Sequence, residues 1–173
     1  MLNLSDELNK KGRSLIMGNV LVIAMMFLVA VWYYSILPEV IPTHFGFSGK
    51  PNRYGSKDTI LIMPFLFSIA QLTFLIMFKF RFRMWRYLNV PIDLSRLDER
   101  KRAIAVNRYF ELLLKFSLGL GLGLLLLEIG SFECMRIGRL VWWFYLLLFP
   151  IFFLIIPFMI SYSKLNEELK REL

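Results

Sequence analysis

The sequence predicts an all-α integral membrane protein with four transmembrane helices, both termini cytoplasmic, and an ordered extracytoplasmic loop between the first two helices. Three observations carry this reading. Of 173 residues, 57% are hydrophobic, against about 45–50% in a soluble domain, and the mean hydropathy is +0.57. The excess lies in four runs, at about 14–37, 59–80, 110–130 and 140–162, each able to cross roughly 30 Å of hydrocarbon at about 1.5 Å per residue. The basic residues are also distributed unevenly across the segments between these runs. The chain reads as a single membrane domain over residues 1–173.

The first run is too long for the apolar region of a cleaved signal peptide, and it ends in Trp32-Tyr33-Tyr34 instead of a small-residue cleavage site. With Lys10, Lys11 and Arg13 before it, it reads as a retained anchor. All four runs are apolar on every face, and backbone groups in lipid must pair within their own segment, so helices are expected. Orientation follows from the charges. Fifteen Lys and Arg residues fall in the N-tail, in the connection at 81–109 with its flanks, and in the C-tail. Five fall in the other two connections: Lys50, Arg53, Lys57, Arg136 and Arg139. The positive-inside rule then places the basic set and both termini in the cytoplasm, and the protein, multi-pass, in the cell membrane.

The same placement accounts for the net charge of +8. Lys79, Arg81, Arg83 and Arg86 alternate with Phe80, Phe82 and Trp85, a pattern suited to an anionic leaflet. Topology therefore explains the bias without a nucleic-acid partner. The lipid bilayer is the first partner. Ser95 and Asp98 have capping-box spacing, so the third helix is expected to begin near Arg96 and run to about Gly130, on the order of 50 Å. It would project into the cytoplasm, where a continuation of the fourth helix through residues 164–173 could pack on it.

Within the spans, Asn19 and Gln71 suit hydrogen bonds between helices. Gly119 and Gly123 share a helical face and admit a close neighbour, either inside the chain or in a second copy. Lys115 can snorkel towards the cytoplasm, with Glu111 one turn earlier. Glu128 is expected at the outer end of its helix. It is either simply exposed at the interface, or it requires a partner, with Arg136, Arg139 or a cation of the first connection nearest in sequence, or else a proton. Pro150 and Pro157, seven apart, should bend the fourth helix and free the carbonyls of Leu146 and Phe153.

The first connection, 37–57, is the most specific stretch. It holds three prolines, three glycines and the only histidine. His44 has no second His and no Cys near it, so no metal site is expected; its better role is to organise the loop. Residues 46–50 resemble a phosphate loop only superficially, because His44 and Pro51 break the pattern. The single Cys134 excludes an internal disulfide. No cofactor motif or catalytic constellation is legible, so the chain reads as non-enzymatic.

Leu37, Pro38, Ile41, Pro42, His44, Phe45, Gly49, Pro51, Ser56 and Lys57 fall in register with a known signature. On these residues the chain resembles the domain of unknown function 1648 family of bacterial and archaeal membrane proteins, which includes SdpI-type immunity and signalling proteins. Asn52 stands where the family usually has Asp. The resemblance covers the loop and its flanking helices, and it implies recognition of an external peptide relayed to a cytoplasmic regulator. Phe45, Phe47 and Tyr54, with Lys50, Arg53 and Lys57, would suit an amphipathic or anionic ligand. Two alternatives stay open: a small transporter using Asn19, Gln71 and Glu128, and a structural subunit of a larger complex or homo-oligomer using the glycine face.

Overall fold

The computed structural model describes residues 10–172; residues 1–9 and 173, and the side chains of Lys10 and Lys11, lie outside the description, as does any charge role expected of them. Among the described residues, four stretches are long and apolar enough to cross a membrane: Gly12–Ile36, Lys57–Lys79, Glu99–Ile137 and Trp142–Glu172.

The first is helix α1 (Lys10–Ile36). It stops before Pro38, whose ring disfavours helical backbone in the residue preceding it. The connection expected as an ordered loop is a β-hairpin, β1 (Val40–Phe45) and β2 (Pro51–Ser56). The strands pair antiparallel, Val40 opposite Ser56 and Phe45 opposite Pro51, with irregular register around His44. Proline in β1 hid the strand in the sequence, but a two-stranded ribbon has only edges, where a missing N–H is tolerated. The base of the hairpin is buried: Leu37 and Ile41 join Ala30, Tyr33, Ile60 and Phe132 in one apolar cluster.

Ser56 then caps a 3-10 turn, Lys57–Leu61, accepting from the Asp58 N–H, and helix α2 (Ile62–Lys79) follows. A short helix, α3 (Arg81–Met84), leads into the connection. The long helix α4 (Glu99–Ile137) is the axis of the fold. It packs on both α1 and α2. Asn19 meets Ser117 and Tyr33 meets Glu133, so α1 runs parallel to α4; Gln71 lies at Gly121 and Phe74 at Phe116, so α2 runs antiparallel.

Both ends of α4 differ from the sequence reading. Its N-cap is Asp98, accepting from the Lys101 N–H at 2.9 Å, while Ser95 bonds Asp93 in the turn before it. The helix passes through Gly130 and ends at Gly138, in left-handed backbone at φ 72°, a conformation glycine adopts without steric cost. Its 39 residues are therefore about 58 Å long. Glu128 is not at the helix end but about three turns before it.

The fourth stretch is not one bent helix. It comprises a 3-10 segment (Trp142–Leu148), helix α5 (Phe149–Phe153), a break at Leu154 and helix α6 (Ile155–Glu172). The Leu146 carbonyl, expected to be freed by Pro150, accepts from the Phe149 N–H, because the tighter 3-10 turn supplies another donor. This stretch packs chiefly on α4. Gly119, Gly123 and Gly130 receive Leu154, Ile151 and Leu147. The glycine face is thus filled within the chain, and a second copy there would have to displace the fourth stretch.

At the end opposite the hairpin, α4 and α6 pack as projecting helices. Tyr109 donates to Asn166 at 2.6 Å, and Arg108 pairs with Glu172 at 2.8 Å. Phe110, Leu114 and Leu169 are buried there, with Leu94 of the connection folded against them.

Candidate functional site

Two places gather the residues singled out from sequence: the hairpin end and the interior of the bundle. At the hairpin end a polar chain fixes the base. Lys57 pairs with Glu39 at 2.9 Å and lies over the Tyr34 ring, and Tyr34 donates to Asp58. Tyr33 donates to Glu133, which Arg136 also holds. Lys57 is therefore committed to the base and is not offered to a ligand. His44 and Asn52 are joined Nδ1 to Oδ1 at 2.6 Å. With the amide placed this way its oxygen can only accept, so Nδ1 carries the proton. Asn52 thus retains the acceptor an aspartate would provide, without its charge.

The tip is where the hairpin meets α4. Gly49 has φ 73° and is buried; its carbonyl accepts from the Leu140 N–H at 2.9 Å, just past the end of α4. The tip and this corner flank an open cleft of about 440 Å³. Phe47 and Ser48 form one wall, and Arg139, Trp142 and Tyr145 the other. Phe47 is fully exposed, and Trp142 and Tyr54 are largely so. Pro42 is buried and Phe45 half-buried beneath, while Pro38, Lys50, Arg53 and Tyr54 are exposed around the hairpin. The opposite wall escaped the sequence reading. Its signal was the Trp142-Trp143-x-Tyr145 run after a Gly138 stop, which reads equally well as the start of a span.

In the interior, Asn19 is fully buried and central. Its amide nitrogen donates to the Leu15 and Leu114 carbonyls at 2.9 and 3.2 Å, and its oxygen accepts from Ser117 at 2.8 Å and from Gln71 at 3.5 Å. Gln71 lies directly on Gly121, where any side chain would occupy the amide's place. Ser117 and Gly121 were not singled out from sequence, because each is unremarkable until its helix face is known. Glu128 is also fully buried, but neither carboxylate oxygen has a hydrogen-bond partner. Of the partners expected for it, Arg136 holds Glu133 and Lys57 holds Glu39, while Arg139 lines the cleft at the hairpin tip and Lys50 and Arg53 are exposed on the hairpin. Lys115 is exposed on another face of α4. Among the described residues, no three His, Cys, Asp or Glu side chains come together.

In the connection after α2, Arg81 is buried, with Nε donating to Asn107 and the guanidinium between the rings of Phe78 and Phe82. Burial holds it below its ordinary pKa, and the Glu111 charge acts in the opposite sense. The Ser95 hydroxyl and N–H hold the Asp93 carboxyl below the usual carboxylate range.

Residues 21–67, from mid-α1 through the hairpin into α2, match the family described as Domain of unknown function (DUF1648). An uncharacterized protein of Archaeoglobus fulgidus is 37% identical over 183 residues, covering 99% of both chains. The chain belongs to the DUF1648 family. The DUF1648 match contains the whole hairpin with Gly49 and the His44–Asn52 pair. The A. fulgidus relative extends the similarity over the remaining helices, including the corner that completes the cleft. No solved structure matches the chain.

Proposed function

We propose that this DUF1648 protein is a non-enzymatic receptor or immunity-type membrane protein, oriented with the hairpin outside and both termini in the cytoplasm. It captures an amphipathic peptide in the hairpin-end cleft. The observation that carries the reading is the tether between the Gly49 carbonyl and the Leu140 N–H. Through it, one wall of the cleft belongs to the hairpin and the other to the corner that follows the outer end of α4. An occupant bridging the walls bears on a helix whose other end, 39 residues away, builds the basic cytoplasmic unit. A cytoplasmic regulator would dock on that unit.

The exposed Phe47 and Trp142 supply apolar contact and Arg139 supplies a cation, a combination suited to an aromatic or aliphatic anchor next to a carboxylate. The test is equilibrium binding of acidic amphipathic peptides, including any small peptide encoded beside the gene, to the full chain in nanodiscs. Binding weakened at least tenfold by Phe47→Ala or Arg139→Ala supports the proposal. Absence of binding, or binding indifferent to both changes, overturns it.

A further inference from the structure

Glu128 lies on α4 between two apolar clusters, one containing Met26 and Leu125 and the other Ala30 and Phe132. Both of its oxygens are buried and unpartnered. Among the described residues, no cation pairs with it. From α1 the nearest titratable group is Tyr33, committed to Glu133. From α2 come Pro64 and Ser68, the latter donating to the Phe65 carbonyl, and Lys57 and Asp58 at its outer end are engaged with Glu39 and Tyr34. The fourth stretch brings Leu147 and Phe144 to neighbouring Gly130. On α4 itself, Glu133 and Arg136 hold each other.

A second orphan accompanies it. Gln71 is fully buried and its Oε1 also lacks a partner. It rests on Gly121, seven residues before Glu128 on the same face of α4, about 10 Å along the axis. The unsatisfied atoms of this face are therefore all acceptors. Buried acceptors without donors, one of them a carboxylate, are chemically complementary to a cation and repel an anion.

We propose that Glu128 is a binding site, inside the membrane, for a single positive charge taken up from solution, either a proton or an alkali cation. The bound charge neutralises a carboxylate that the protein itself leaves uncompensated, and the site exchanges with one aqueous side. It is independent of peptide capture at the hairpin.

The test uses dicyclohexylcarbodiimide on the full chain in proteoliposomes. A protonated carboxylic acid adds across one C=N bond of the reagent to give an O-acylisourea, which rearranges to a stable N-acylurea with no leaving group, so the adduct is read by mass on the Glu128 peptide. For a proton site, labelling falls about tenfold per pH unit once the deprotonated form dominates, with sodium and choline buffers equivalent. For an alkali-cation site, sodium or potassium slows labelling at fixed pH relative to choline. The Glu128→Gln variant loses the adduct in either case, and the wild-type pH and cation series stands without it should that variant misfold. An unlabelled Glu128 peptide, or labelling insensitive to both pH and cation, overturns the proposal.

Discussion

Replacing Gly49 by alanine should detach the hairpin tip from the end of α4 while leaving the bundle folded. Gly49 has φ 73°, where a side chain costs about 1–2 kcal/mol. The added Cβ would stand 2.8 Å from the Leu140 carbonyl oxygen. That atom is backbone at the α4 corner and can move only with the corner. The Leu140 N–H to Gly49 bond then breaks, with a further loss of about 0.5–1.5 kcal/mol. Together these give about 1.5–3.5 kcal/mol, or roughly a 10- to 300-fold rise in the population of the open tip at about 1.4 kcal/mol per decade. Hydrogen exchange of the full chain in nanodiscs reads this directly. Peptides covering 46–50 and 139–142 should exchange faster, and those covering the centres of α1, α2 and α4 should not change. Exchange at 139–142 within threefold of wild type would refute the tether as the element joining hairpin to helix, and the relay proposed on it.

Three other outcomes follow from the interior and the basic end. Gly121→Ala should expel the Gln71 amide from its seat on α4, costing about 1–3 kcal/mol; the thermal unfolding midpoint in detergent should fall, and Gln71→Ala in the same chain should restore part of it. Tyr109→Phe should leave the buried Asn166 oxygen without its 2.6 Å donor, a loss of about 1–3 kcal/mol, seen as faster exchange at the end of α6 with the hairpin unaffected. The Asp93 carboxyl, held low by Ser95, contributes order that is present above the ordinary carboxylate range and lost as pH falls through the lowered folded value; acidification should loosen residues 93–96, and Asp93→Asn should remove that pH dependence.

Length and hydropathy made four spans legible, and the third and fourth were misjudged where local signals had two meanings. Gly130 looked like a stop, yet it is a seat for Leu147 inside α4, and the stop is Gly138. That one difference moved Glu128 from an exposed helix end into the core and separated it from Arg136. The strand β1 was hidden by Pro42, because an edge ribbon tolerates a proline that a central strand would reject. The proline pattern of the fourth stretch signalled irregularity without showing that 3-10 turns would absorb it. For the candidate site, the hairpin wall was visible from its signature residues, whereas the Arg139–Tyr145 wall lies some 90 residues further along the chain and meets it only through the Gly49–Leu140 contact.

By itself the sequence determined that this chain is a membrane protein of four apolar spans with a specialised first connection, because the hydropathy of a run, its length and the family signature are local properties. Which of its polar residues are satisfied was decided only by tertiary structure. Asn19 is paired because α1 brings it beside Ser117 and Gln71. Glu128 is unpaired because α4 continues past it and Arg136 and Lys57 are held by other carboxylates. Pairing depends on which helix faces meet, and that is fixed by the packing of all the helices together, not by any one segment.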